Sequence, residues 1–403
     1  MNSRMWLSMR LWVLLLVVSL PSISFSQIQL SDQAKISLMN CDPGPELYAS
    51  FGHSALWVYD PVNEINWIYN WGTFNFDPPG FYVEFAAGRL NYFLNRETFR
   101  RFDYGYRYRK QGYEELELDL TQAQKQALYE YVENNFLPQN RYYLYDFFFD
   151  NCATRIEVVL AEVLGEDLQY PSDSIATSKT FRQLLHENLG NLAWAEFGID
   201  LALGSVVDRV ATTSEQAFLP EYLAKNFEEA SVFQDSTWVP LVKNRVPLYE
   251  APSPSSPGPW YLHPLAILSL LLLGSIYFTV HDMRTGSISR YWDSLLFFLS
   301  GLGGVLLFFL TFFTEHTATA SNFNLLWLLP VYVLVPFFGL FRRAGWKLFN
   351  LAFWGFSFFL ILIVVTGYFW LPQQFPIAAL PWMGALMIRC LFRVNALVKG
   401  QAS

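Results

Sequence analysis

The apolar positions of this chain follow two regimes. Up to about residue 250 they come in short runs broken by turn chemistry, and beyond residue 260 they merge into long, nearly uninterrupted spans. In the first regime, Ser54-Ala55-Leu56-Trp57-Val58-Tyr59 and the run from Ile65 to Tyr69 flank the turn Asp60-Pro61-Val62-Asn63, which predicts a hairpin. Residues 115–120 alternate at period two, as an amphipathic strand does. Thr121 with Gln124 forms a capping-box pattern ahead of the stripe Ala127, Leu128, Tyr131, Val132, and that helix should stop before Pro138. Ile156, Val159 and Leu160 give the apolar face of a helix beginning near Cys152, and helical patterns recur over 180–191 and 215–227. Strands mixed with segregated helices predict an α+β domain.

In the second regime, apolar spans run over 262–280, 295–313, 325–340, 348–369 and 375–391, each near the length that crosses a bilayer as a helix. Prolines inside the third and fifth are compatible with crossing where neighbouring helices satisfy the freed carbonyls. Arg284 and Arg290, then Arg342, Arg343 and Lys347, then Arg393 and Lys399 fall in alternate loops, while 314–324 and 372–374 carry no lysine or arginine. The positive-inside bias therefore places the first 250 residues outside the cytoplasmic membrane. The N-terminus agrees: Arg4 and Arg10, an apolar core from Leu11 to Leu20, and Ser24-Phe25-Ser26 read as a secretory signal cleaved before Gln27. The expected organisation is a signal over 1–26, an exported α+β domain over 27–249, a semi-rigid Pro/Ser linker over 250–260, an all-α five-helix transmembrane domain over 261–392, and a cytoplasmic tail over 393–403.

Composition adds exclusions. The chain is 53% hydrophobic and 15% charged, with formal net charge -8, and holds no basic block suited to nucleic acid. Three cysteines are too few for a disulfide scaffold. Neither a metal-ligand spacing of the usual structural kinds nor a glycine-rich phosphate loop is present, so no cofactor or metal is expected.

The candidate chemistry gathers on Cys152. It stands at a helix start behind Asp150-Asn151, where a helix N-terminus and an adjacent imidazolium both favour the thiolate. His53, at the start of a strand, is the candidate base. Asn70, at the end of the next strand, is the preferred group to orient it, with Asp77 as the second candidate. Against this stands a disulfide between Cys152 and Cys41, which would silence the thiol. The aromatic run from Tyr142 to Phe149 reads as packing. Arg89, Arg96, Arg100, Arg101, Arg107, Arg109 and Lys110, interleaved with aromatics, read either as a solvated face or as contacts to anionic headgroups. His186 reads as structural. Glu315-His316 is either an ordinary polar loop or a headgroup contact.

Four motif pieces, Cys41-Asp42-Pro43-Gly44-Pro45-Glu46-Leu47-Tyr48, Phe51-Gly52-His53-Ser54-Ala55-Leu56, Tyr69-Asn70-Trp71-Gly72-Thr73-Phe74-Asn75-Phe76 and Asn151-Cys152-Ala153-Thr154-Arg155, resemble the bacterial lipoprotein N-acyltransferase family of Bacteroidetes. Later pieces, Asp208-Arg209-Val210-Ala211-Thr212 and Phe218-Leu219-Pro220-Glu221-Tyr222-Leu223, fit as well. The His-before-Cys order is similar to circularly permuted papain-like (NlpC/P60-like) thiol domains. The resemblance implies His53 as base, Cys152 as nucleophile and Asn70 as orienter of a cysteine-dependent acyltransferase. Its acyl donor would be a phospholipid or a diacylglyceryl group, and its acceptor the N-terminal cysteine amine of a lipoprotein. The alternatives are a papain-like cell-wall peptidase or amidase, and a non-enzymatic membrane sensor or assembly factor.

Overall fold

The structure, a computed structural model, describes residues 28–75, 77, 79–170, 179–190, 192–252, 258–340 and 346–400. The expected signal, the centre of the linker and the loop carrying Arg342 and Arg343 lie outside the described residues.

Ten strands, β1 (Lys35–Cys41), β2 (His53–Asp60), β3 (Ile65–Thr73), β4 (Asn91–Thr98), β5 (Tyr113–Leu118), β6 (Tyr142–Leu144), β7 (Leu168–Gln169), β8 (Ser231–Gln234), β9 (Thr237–Pro240) and β10 (Val242–Tyr249), form two antiparallel sheets. Seven strands run in the order β10-β5-β1-β2-β3-β4-β6, and β7-β8-β9 make a small second sheet. Neither sheet closes into a barrel. The β2–β3 hairpin follows the sequence reading, and its turn is tied by Asp60, whose carboxylate accepts from Ser31 and from the Val62 and Asn63 amides.

Eight helices dress the sheets: α1 (Phe81–Ala87), α2 (Phe99–Arg109), α3 (Gln122–Phe136), α4 (Cys152–Leu164), α5 (Phe181–Leu189), α6 (Ala193–Ala202), α7 (Thr213–Gln216) and α8 (Pro220–Glu229). The Thr121–Gln124 capping box forms as predicted, and α3 ends at Phe136, before Pro138. One face of the main sheet buries Ile36, Leu38, Leu56 and Val58 against Leu128 and Val132 of α3, Ile156 and Leu160 of α4, and Leu223 and Phe227 of α8. The other face packs Met39, Cys41, Ala55 and Ile68 against Phe102 and Tyr106 of α2. The helix expected over 215–227 is two helices, because Pro220 can open a helix but removes a donor from the interior of one.

Five membrane spans follow. Four are α-helices, α9 (Pro264–Thr285), α10 (Arg290–Phe313), α11 (Trp346–Thr366) and α12 (Ala379–Val398). The third, Thr317–Phe338, is a run of 3-10 pieces rather than the helix expected from residue 325. Its prolines, Pro330 and Pro336, cannot donate to a ladder. Irregular backbone at membrane depth must be covered by protein, and α10 covers it. Gly301 and Gly304 lie so close to the backbone of Leu328, Tyr332 and Val333 that a methyl group at either position would overlap it. The basic residues that flank the spans fall opposite the exported domain, so this is an inner-membrane protein with a periplasmic N-terminal part.

Candidate active site

Cys152 is the first residue of α4, and Asn151 caps it. The Asn151 carboxamide oxygen accepts from the Ala153 and Thr154 amides at 2.8 and 3.0 Å, and Thr154 Oγ1 accepts from the Asn151 amide at 2.8 Å. The Asn151 side-chain NH2 donates to the carbonyls of Phe147 and Phe218 at 2.8 and 2.7 Å. One buried amide therefore starts the helix and anchors it to two neighbouring segments. Asp150, expected to share the cap, instead pairs with Arg155. The aromatic run ahead of the cap serves partly as packing, with Phe148 in a cluster with Phe181, Leu184 and Phe218. Gly72, next to last in β3 and beside this helix start, has φ +84°, a backbone conformation that L side chains rarely adopt. A Cβ there would stand 3.6 Å from Cys152 Cβ.

His53 opens β2, and the structure brings it to the same cavity as Cys152, near enough for each to act on the charge of the other. Its Nε2 lies 3.1 Å from Asn70 Oδ1. Asn70 Nδ2 in turn donates to Glu97 Oε1 at 3.0 Å, and Arg101 lies 3.6 Å from the other Glu97 oxygen. Burial opposes ionisation of Cys152, but the His53 charge, the His53 hydrogen bond and the amides of Ser54 and Ala153 outweigh it and lower the thiol pKa. Burial likewise disfavours charged His53, yet the Cys152 thiolate, its hydrogen bond, the Asn70 bond and the Glu97 charge raise the imidazole pKa. The pair thus favours thiolate and imidazolium together. Asp77 is not brought in: its amide bonds Asn75 Oδ1, and among the described residues nothing links it to His53.

Cys41 lies opposite His53 across the β1–β2 ladder, but all three cysteines are free. The disulfide alternative is therefore absent from this structure. Cys41 is 2% exposed and packed in one cluster with Tyr106, and burial pushes its thiol pKa up. The two cysteines stand in opposite electrostatic settings.

A cavity of about 760 Å³ opens beside Cys152 and His53. Its near wall carries Phe74, Tyr92, Tyr145 and Phe147, and its far wall is the periplasmic loop of the membrane domain, Glu315 to Ala318. The loop is held by Arg89–Glu315 at 2.9 Å, the Glu315 amide on the Ala87 carbonyl at 2.9 Å, and Thr317 Oγ1 on Asp146 Oδ2 at 2.9 Å. The sequence reads Glu315-His316 first as an ordinary polar loop. Only the fold sets a loop 163 residues downstream of Cys152 against its cavity.

Several of the remaining candidates have local partners. Arg96 pairs with Glu133 and Arg107 with Asp103, while Arg109 Nε donates to Gln111 at the cavity edge. His186 Nε2 lies 2.9 Å from Asp200 Oδ1, with Glu196 nearby, a grouping of metal-ligand types. Arg182 donates to that same Asp200 oxygen at 3.0 Å, so the carboxylate is already neutralised and the cluster reads as an ion-pair network.

Comparison with known proteins follows the same division of the chain. The family model described as the Lnb N-terminal periplasmic domain matches residues 25–187, and that described as the Lnb transmembrane domain matches residues 256–401. No curated protein and no solved structure matches the chain. Over both matched parts the chain is similar to Lnb, a lipoprotein-related Bacteroidetes family that joins an exported domain to five membrane helices, and this likeness supports an acyltransferase-type function.

Proposed function

We propose that the protein is a cysteine-dependent acyltransferase that moves a fatty acyl chain, through a Cys152 thioester, onto the N-terminal cysteine amine of lipoproteins. The observation that supports this reading is a cavity lined by both Cys152 and His53 whose other wall is the Glu315–Ala318 loop between two membrane spans. A soluble wall peptide needs no such wall, whereas donor and acceptor lipids both reside at the bilayer.

In the first step the Cys152 thiolate attacks the ester carbonyl of a phospholipid or of a diacylglyceryl group. The acyl C–O bond breaks, the alcohol leaves with the proton of the His53 imidazolium, and a thioester remains. In the second step the lipoprotein's α-amino group attacks the thioester and His53 takes its proton. The C–S bond breaks, and an amide is released with the thiolate restored. Asn70, holding Nε2, keeps Nδ1 of the imidazole for the sulfur. The cap engages the amides of Ala153 and Thr154 and not that of Cys152, which suits the Cys152 amide to the oxyanion. The aromatic wall shields the thioester from water. In this reading the exported domain is of the permuted papain-like, NlpC/P60-like kind, on the strength of a strand-borne histidine preceding a helix-borne cysteine.

Mass spectrometry of lipoprotein N-termini from cells carrying Cys152→Ala or His53→Ala tests the proposal. Loss of the N-linked acyl chain is expected in both, with the protein still inserted in the membrane. Full N-acylation in the Cys152→Ala strain would overturn it.

A further inference from the structure

The Asn70 carboxamide has two ends, and its usefulness depends on which end faces His53. With Oδ1 inward it accepts Nε2–H and leaves the Nδ1 lone pair, or Nδ1–H of the imidazolium, for sulfur. With NH2 inward it would force Nε2 to be the acceptor and put the neutral ring in the wrong tautomer for taking a proton at Nδ1. Nothing in the carboxamide itself selects between these. Glu97 does, because a carboxylate accepts and cannot donate, so only Nδ2 can face Glu97 Oε1 at 3.0 Å. Asn70 and Glu97 are diagonal neighbours on β3 and β4, since Asn70 pairs with Asn95, and their side chains share one face of the sheet.

We propose, on the basis of the thiol reading above, that Glu97 is a positioning residue. It fixes the Asn70 carboxamide with Oδ1 toward His53, and its negative charge sustains the imidazolium that sustains the Cys152 thiolate. The charged and titratable groups facing this chain are Arg101 and Arg109 of α2, His53 of β2 and Cys152 of α4, with Tyr143 and Tyr145 beside Cys152 and with Cys41 of β1 and Tyr106 of α2 also nearby. Arg101 has its side chain largely in solvent, so it dampens the Glu97 charge without neutralising it as a buried guanidinium would.

The test is the rate of Cys152 alkylation by iodoacetamide against pH, followed by peptide mass spectrometry on the full-length protein in detergent, alongside N-acylation by the same variants. Glu97→Gln keeps the shape and loses the charge. Its alkylation is expected to fall roughly fivefold on the acid side, with the limb moved to higher pH and the high-pH rate unchanged. Glu97→Ala should show the same shift together with a comparable fall in N-acylation, and Glu97→Asp should restore part of both. In an Asn70→Ala background, removal of Glu97 should cost clearly less than it does in the wild-type background, because the part that acts through the carboxamide is already lost and only the direct effect of the charge remains. A wild-type alkylation profile in Glu97→Gln, or fully multiplicative effects in the Asn70→Ala background, would overturn the inference. If Glu97→Ala fails to fold, the isosteric Gln variant carries the test. Alkylation reads the thiol without any acyl transfer. A shifted profile with N-acylation persisting in Cys152→Ala would therefore sink the proposed function alone.

Discussion

Cys152 and Cys41 are the same side chain in two environments, and the difference is what makes one of them a candidate nucleophile. Cys41 meets burial with little to oppose it, and its pKa rises; Cys152 meets burial plus His53 and two amides, and its pKa falls. The sign of the pH dependence follows. A thiol with a lowered pKa stays ionised below the ordinary cysteine range and loses its thiolate only as pH falls through the lowered value. Cys152 is therefore expected to alkylate at pH 7 while Cys41 and Cys390 do not. His53→Ala, which leaves burial unopposed by an imidazolium, should slow Cys152 alkylation at that pH by roughly tenfold or more. Equal labelling of Cys152 in the two proteins, read by peptide mass spectrometry, would remove the imidazole from the account. Cys152, His53 and Asn70 were legible in the sequence because a cysteine at a helix start and a histidine at a strand start leave local marks. Glu97 was not, since its meaning depends on the β3–β4 register, and its signal in the sequence is only a single acid in the polar stretch Asn95-Arg96-Glu97-Thr98.

At the scale of elements, the site depends on how α4 begins. Asn151 is 3% exposed, and its side chain accepts from two α4 amides and donates to the carbonyls of Phe147 and Phe218. An N-cap is worth about 1 kcal/mol by itself, and leaving two buried carbonyls without donors costs about as much again or more. Asn151→Ala should thus destabilise the protein by about 2–4 kcal/mol, read as a lowered thermal midpoint in detergent. Asn151→Asp, which keeps the acceptor for α4 but cannot donate to the carbonyls, should be unstable too. An unchanged midpoint in both would mean that α4 is positioned by its packing alone. Local chemistry of this sort was readable where the signal is contiguous, as in the Thr121–Gln124 box and the turn at Asp60-Pro61. It misled where a proline had to be assigned to one helix or two, as at Pro220, and where a proline-broken span leans on glycines of another helix, as with Gly301 and Gly304.

For the whole molecule, the relevant quantity is how rigidly the exported domain sits on the membrane domain, because the cavity belongs to both. The contact is built largely from backbone. The Gly204 and Ser205 amides donate to the carbonyls of Ala318 and Ser321 at 2.9 and 3.2 Å. Asn322 Nδ2 donates to the Leu201 and Ala202 carbonyls at 2.8 and 3.0 Å, and Gln373 Nε2 reaches Leu203 at 3.3 Å. Arg182, buried behind this seam, ties Asp200 and Asp208 to the carbonyls of Leu203 and Gly204. Exposed ion pairs such as Arg89–Glu315 add little, about 0–1 kcal/mol each. Gly204 is needed here for space rather than for its backbone angles, which are ordinary extended values. A methyl group on it would overlap the Ala320 carbonyl oxygen, and neither backbone has a flexible end to move aside. Gly204→Ala should therefore separate the two domains locally while each keeps its own core. The expected result is faster proteolysis in the stretch from residue 203 to 210, with Cys152 alkylation near wild type because the His53 pair lies within the exported domain. N-acylation should fall severalfold, since the loop that closes the cavity is displaced. If Gly204→Ala instead keeps full N-acylation and wild-type proteolysis, the loop from Glu315 to Ala318 is not held in place by this seam, and the far wall of the cavity is set by α1 and Arg89 alone.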